Sequence, residues 1–279
     1  MNRLGKTELM VSSIGFGGII VMNSEPEEAA KSVENAVSRG INYFDVAPAY
    51  GDAEVKLGPA LEPFRKDVNL ACKTHIRDAK GAKETLDQSL INLRTDYFDV
   101  FQFHALTDVE KDVEAIFAKG GAMEVVLDAQ KAGIIRNIGF SAHSPKAALA
   151  AMAKFDFDTI LYPVNFNLHF EKSFELDVLK EARSRDMGIL ALKTLAKGKW
   201  PNEEAKKKYP KCWYEPIDDE HVAELAINWT LNQGVAVAMS PSHKELLDLM
   251  LKVFKGPRML NAMELNELKN IASKSDLIF

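Results

Sequence analysis

Apolar and polar positions along this chain switch between two periods, and the switch recurs eight times. Short β-favouring runs occupy 14–18, 41–45, 68–73, 97–104, 136–141, 159–165, 188–194 and 235–239. Between them, apolar residues recur at helical spacing, as in Ala29, Ala30, Val33, Ala36 and Val37 before Gly40, or Leu86, Leu90 and Leu93 within 79–93. Further helices are expected near 123–131, from Ser144-Pro145 to Lys154, around 175–185, near 220–231 and from Ser242 onward. Ser24 with Glu27, and Ser242 with Glu245, have the spacing of capping boxes, and Ser144 precedes a proline suited to the first helical turn. Eight strands alternating with helices predict an α/β fold, a closed (β/α)8 TIM barrel rather than an open sheet. Residues 3–12 add two short strands about a turn, a hairpin too small to stand alone, and 262–271 form an extra amphipathic C-terminal helix.

Length and composition narrow this picture without changing it. A chain of 279 residues fits one βα barrel, so 1–279 is expected to be a single domain. Net charge is -5, which offers no basic surface for nucleic acid. Residues 1–10 carry Arg3, Lys6 and Glu8 with no apolar core behind them, so no secretory signal is expected. No run of about eighteen apolar residues predicts a membrane span. Only Cys72 and Cys212 are present, without metal or disulfide spacing, and a cytoplasmic location fits that usage.

Chemistry concentrates at the C-terminal ends of the strands. The run 41–45 ends on Asp45, with Tyr50 in the turn beyond Pro48; the next two end on Lys73 and His104. In a parallel barrel these ends meet at the face where ligands bind. Each side chain is costly to bury without a partner or a task, so four at successive strand ends point to one site rather than four turn caps. By the same alternation Cys72 points toward the helices and reads as core.

The segments Arg3-x-x-x-Thr7 with Gly15-x-Gly17, Asn42-x-Phe44-Asp45-x-Ala47-x-x-Tyr50-Gly51, Lys73, and Asp96-Tyr97-Phe98-Asp99 leading to His104 resemble the aldo-keto reductase family over nearly the whole chain. The resemblance implies a hairpin closing the barrel bottom and a tetrad of Asp45, Tyr50, Lys73 and His104 that reduces a small carbonyl substrate with NADP(H), NAD(H) being the alternative. Hydride addition leaves negative charge on the carbonyl oxygen, and a proton donor must meet it. Tyr50 is the expected acid. An ordinary phenol titrates near pH 10, and a cation about 4 Å away contributes about 4 kcal/mol toward phenolate at an effective dielectric near 20. Lys73 is that cation, held charged by Asp45, while His104 orients the carbonyl.

Elsewhere the family pattern is incomplete. A Ser-Asn pair on the fifth strand, a glutamine on the sixth and an aromatic on the seventh would hold the nicotinamide; this chain has Ser141-Ala142, Leu161 and Leu192. Ser141 remains, with His143, Asn165 and Lys193 as substitutes, and Gly17 permits close approach. Past the eighth strand, Ser240, Ser242, His243 and Lys244 are candidates for the cofactor phosphates at a helix start, although Ser242 reads equally as a plain cap. Trp200, Trp213 and Tyr214 fall in the long loop after the seventh strand and are candidate walls of the substrate pocket, or else a packed loop. His75 and His169 lack a second ligand at metal spacing, so no metal is expected. A non-catalytic nicotinamide-binding or regulatory barrel, like the potassium-channel β subunits that resemble this family, is the alternative function.

Overall fold

The computed structural model describes residues 1–279. Eight parallel strands close into a barrel: β1 (Ile14–Gly17), β2 (Tyr43–Asp45), β3 (Asn69–Thr74), β4 (Phe98–Leu106), β5 (Ile135–Ala142), β6 (Thr159–Pro163), β7 (Gly188–Leu192) and β8 (Val237–Met239), with β8 paired to β1. Around them run α1 (Pro26–Ser38), α2 (Ala53–Leu61), α3 (Ala79–Leu93), α4 (Ala122–Lys131), α5 (Pro145–Lys154), α6 (Phe166–Lys172), α7 (Leu176–Ser184), α8 (Glu220–Leu231), α9 (Lys244–Val253) and α10 (Ala262–Ala272). This is the expected (β/α)8 barrel.

Strand alternation divides the core in two. Leu70, Cys72, Phe101, Phe103, Ile160 and Ile189 face outward into a large layer shared with the helices. Tyr43, Ala71, Val100, Leu161, Leu190 and Val237 face inward and fill the barrel. The hairpin Asn2–Arg3 with Met10–Val11 places Leu4 and Val11 against that inner cluster. Asn2 donates to the Ala236 carbonyl at 2.8 Å, and Asn42 both accepts from the Ser12 amide at 2.7 Å and donates to the Met10 carbonyl at 2.8 Å. With the bottom filled by side chains, the barrel interior opens at the opposite end.

The capping boxes do not form as expected. Glu25 is the N-cap of α1 with Pro26 in its first turn, and His243, not Ser242, is the N-cap of α9; neither makes a side-chain cap bond. Asp78 caps α3 by accepting from the Gly81 amide, and the Asn261–Glu264 capping box opens α10. Two further helices, α2 and α6, occupy stretches to which the sequence pattern assigns no element. The long loop after β7 carries a small antiparallel pair, Ala196–Gly198 with Glu215–Pro216.

Candidate active site

Asp45, Lys73 and His104 project from the ends of β2, β3 and β4, and Tyr50 stands in the turn that leads into α2. Lys73 is fully buried and its Nζ donates to Asp45 Oδ1, with a second bond to the Val46 carbonyl at 3.3 Å. Gln102 Nε2 donates to the other Asp45 oxygen at 3.2 Å. The Lys73 ammonium lies 5.3 Å from the Tyr50 ring centroid, and the Tyr50 and His104 rings meet edge to face with centroids 5.7 Å apart. All four predicted residues therefore share one place.

Burial sets the protonation states. It pulls Lys73 down, but Asp45 and Tyr50 outweigh it and the ammonium is held above its ordinary range. It pushes Asp45 up against the pull of Lys73. His104 is pulled down to about 3 by burial, with Lys73, His143, His75 and Arg77 adding to the effect, so its imidazole is neutral. Tyr50 departs from expectation: burial pushes the phenol above its ordinary value, and Lys73 only partly offsets this. Without ligand, desolvation of the phenolate exceeds the attraction of one cation.

The end of β4 is shaped to aim His104. Pairing with β5 slips between Phe103 and Leu106, and Ala105 takes a φ of 56°. Two polar groups hold this bulge: Arg77 Nη2 donates to the His104 carbonyl at 2.7 Å, and Ser141 Oγ accepts from the Ala105 amide at 2.7 Å. Arg77 is in turn paired with Asp112 at 3.0 Å, whose second oxygen accepts from the Thr107 and Asp108 amides.

A cavity of about 80 Å³ opens at Asp45 and Tyr50 and continues past Gly17, Gly18, Leu192, Lys193, Trp213, Tyr214, Ser240 and Ser242. Behind it, around Glu28, Lys31, Lys211, His243 and Lys244, lies a polar pocket of about 320 Å³. No group of three or more His, Cys, Asp or Glu side chains is placed to hold a metal ion, and no helix is long and apolar enough to cross a membrane. The sequence model of the aldo/keto reductase family matches residues 13–273. This chain belongs to that family.

An uncharacterized oxidoreductase of Bacillus subtilis, YqkF, is 28% identical over 211 residues, covering 70% of this chain and 65% of the relative. The aldo-keto reductase YhdN of the same organism is 29% identical over 217 residues, covering 70% of this chain and 62% of its own length. The match thus spans just under two thirds of either relative. The solved structure of aldo-keto reductase AKR11C1 from Bacillus halodurans, in its holo form, superposes with a TM-score of 0.74 at 20% identity, covering 99% of this chain and 97% of that one. It shares the fold.

The expected cofactor contacts fare unevenly in this family member. Asn165 is spent: its amide donates to the Lys193 and Ala196 carbonyls, and its oxygen accepts from the Asn167 and Leu168 amides, so it caps α6 instead of facing a nicotinamide. Ser141 already serves the Ala105 amide. Ser240 lines the cavity and accepts from the Gly17 amide at 2.9 Å; Ser242 lines it too. Lys244 is turned to Asp248 at 2.8 Å and borders the polar pocket. Trp213 and Tyr214 wall the cavity, whereas Trp200 does not reach it and donates to the Cys212 carbonyl at 2.8 Å. His169 pairs with Glu175 at 2.5 Å, a structural contact.

Sequence reasoning missed Gln102, Arg77 and Phe279. Gln102 carried a signal: two residues before His104 in an apolar strand, it must share the inward face. Phe279 carried none. Its ring stacks on Phe174 with centroids 5.5 Å apart and meets His143 and Trp213, contacts fixed only by the tertiary fold.

Proposed function

We propose that this protein reduces an aldehyde or ketone to an alcohol using NAD(P)H, with Tyr50 as the general acid. The observation that carries this is the gathering of the His104 ring and the buried Asp45–Lys73 pair around Tyr50, which lines the cavity with Asp45. The cavity fits a dinucleotide at its phosphate half. Gly17 leaves a face where a Cβ would stand 3.0 Å from the Ser240 carbonyl oxygen, Ser240 and Ser242 lie beside it, and the start of α9 borders the adjoining polar pocket. Its nicotinamide half departs from the family, since Leu161 and Leu192 are apolar and Asn165 is occupied.

When bound, the reduced cofactor supplies a hydride to the carbonyl carbon. The chain's own groups manage the oxygen. Neutral His104 donates a hydrogen bond from a ring nitrogen and orients the carbonyl without charging it. Tyr50, kept protonated by burial, transfers its proton as negative charge develops on that oxygen. Lys73 then stabilises the phenolate, and Asp45, fixed by Gln102, keeps the lysine charged. The lysine therefore acts on the product side of the proton transfer rather than by pre-ionising the phenol.

A barrel that binds the cofactor without turnover has no need of all four groups gathered around one tyrosine, and their joint presence favours catalysis. Fluorescence titration of NADPH and NADH, followed by absorbance assays with small aldehydes, tests the assignment. Cofactor oxidation is expected; cofactor binding with no turnover across the panel would transfer the protein to the regulatory class.

A further inference from the structure

Lys193 follows β7 with a φ of 67°, a conformation few non-glycine residues adopt. It lines the same cavity as Asp45 and Tyr50, and its ammonium lies 4.7 Å from the Trp213 ring centroid and 5.2 Å from that of Tyr214. Neighbouring lysines of the loop are paired, Lys197 with Glu215 and Lys199 with Asp276. Lys193 is not: the only group supporting its charge is the Cys212 thiol, and burial pulls the amine down to about 8. His143, just past β5, is close enough for the Lys193 charge to depress it, and its buried Nδ1 has no hydrogen-bond partner. The cavity's one carboxylate, Asp45, is already held by Lys73 and Gln102. A partly desolvated ammonium beside an unpartnered imidazole, with no acceptor to spare, is suited to an anion supplied by a ligand.

We infer that Lys193 seats a carboxylate carried by the carbonyl substrate, with Trp213 and Tyr214 flanking its carbon skeleton, so that oxo acids are preferred to neutral aldehydes. This rests on the reductase assignment. A substrate carboxylate is favoured over a cofactor phosphate by position. The phosphate-binding features belong to β8 and α9, whereas Lys193 is coupled to His143, and His143 to His104, on the side where the carbonyl is oriented.

The test compares 4-carboxybenzaldehyde with methyl 4-formylbenzoate, using NADPH, in wild type, Lys193→Met and Lys193→Arg. The kcat/KM ratio of acid to ester is expected to fall about 30-fold in Lys193→Met, the scale of one charge-assisted bond, and to recover largely in Lys193→Arg. In wild type the ratio should be full below pH 8 and decline above it as the amine loses its proton. Cys212, Tyr214 and His143 are the titratable groups facing that amine, and Asp45 and Tyr50 line the same cavity. They act on both substrates, so the ratio isolates Lys193. An unchanged ratio in Lys193→Met overturns the inference, as does NADPH affinity falling by the same factor, which assigns the lysine to the cofactor. Absence of turnover with either aldehyde is a failure of the reductase assignment, and the seat is then read from Trp fluorescence. Terephthalate should quench wild type but not Lys193→Met, and equal quenching of both overturns the inference.

Discussion

Two buried aspartates stand at opposite ends of the barrel, and they are satisfied in different ways. Asp99, near the start of β4, accepts from Arg65 at 3.0 Å, Arg136 at 2.8 Å and the Leu70 amide at 2.9 Å, and the two guanidinium groups cover the Tyr97 ring at 4.0 and 3.9 Å. Both oxygens are engaged and nothing faces a cavity. Asp45, at the end of β2, has one ammonium and one amide, and it lines an open cavity with Tyr50 and Lys193. The lower network closes the fold upon itself; the upper one leaves donors for a ligand. This division follows the fold, in which the C-terminal face binds and the N-terminal face stabilises.

The sharpest way to break the comparison is to strike one member of each network in turn. Asp99→Ala leaves the buried Arg65 without its carboxylate, and stability is expected to fall by about 3–5 kcal/mol, the usual cost of an uncompensated buried charge. Urea unfolding measures it, and the specific activity of the remaining folded protein should hold. A loss below about 1 kcal/mol would show that the lower network is not a stability device. Tyr50→Phe should do the reverse, lowering kcat for carbonyl reduction at least about a hundredfold, some 2.7 kcal/mol, while leaving the unfolding midpoint in place. Near wild-type turnover would remove Tyr50 from the acid role.

How much of this was legible depended on whether the signal was local. Helix α3 was readable from Leu86, Leu90 and Leu93, and α8 matches its expected span, because amphipathic spacing is written in the sequence. Helix α2 was hidden by Gly58 and Pro59. Gly58 is needed there because a Cβ would lie 2.2 Å from the Asn92 carbonyl oxygen, a contact made by a distant residue. The tetrad was legible because three members lie at strand ends and Tyr50 stands in the turn that follows one of them. The spending of Asn165 on the Lys193 and Ala196 carbonyls was not, since it depends on how the loop after β7 folds back.

A smaller effect separates the two partners within the upper site. The double variant Asp45→Asn with Lys73→Met removes both charges together and so avoids stranding either one. Lys73 pulls the Tyr50 phenol down more strongly than Asp45 pushes it up, so their joint loss moves the phenol further above its ordinary value. Alcohol oxidation needs the phenolate as base, so its rise with pH should move to higher pH. An unmoved profile with a lower plateau would leave the pair a purely structural role.

The weakest contrast lies at the outer end of the cavity, where cofactor choice is set. Discrimination for NADPH requires cations on its 2′-phosphate, best supplied by an arginine fork, and no arginine lines either pocket. Lys244 is half exposed and already turned to Asp248, and Lys211 donates to the Ile20 carbonyl at 3.0 Å, while Glu28 and Glu245 place negative charge in the same pocket. A phosphate must therefore compete with existing partners at Lys244 and Lys211, while Lys31, which borders the pocket without an ion pair, is exposed, and one exposed lysine contributes only about 1 kcal/mol. The expected preference for NADPH over NADH is about tenfold in dissociation constant, about 1.4 kcal/mol, and Lys244→Ala should remove most of it. Titrating both cofactors into wild type and variant measures this. A preference above a thousandfold, or one indifferent to Lys244, would place the 2′-phosphate away from the start of α9.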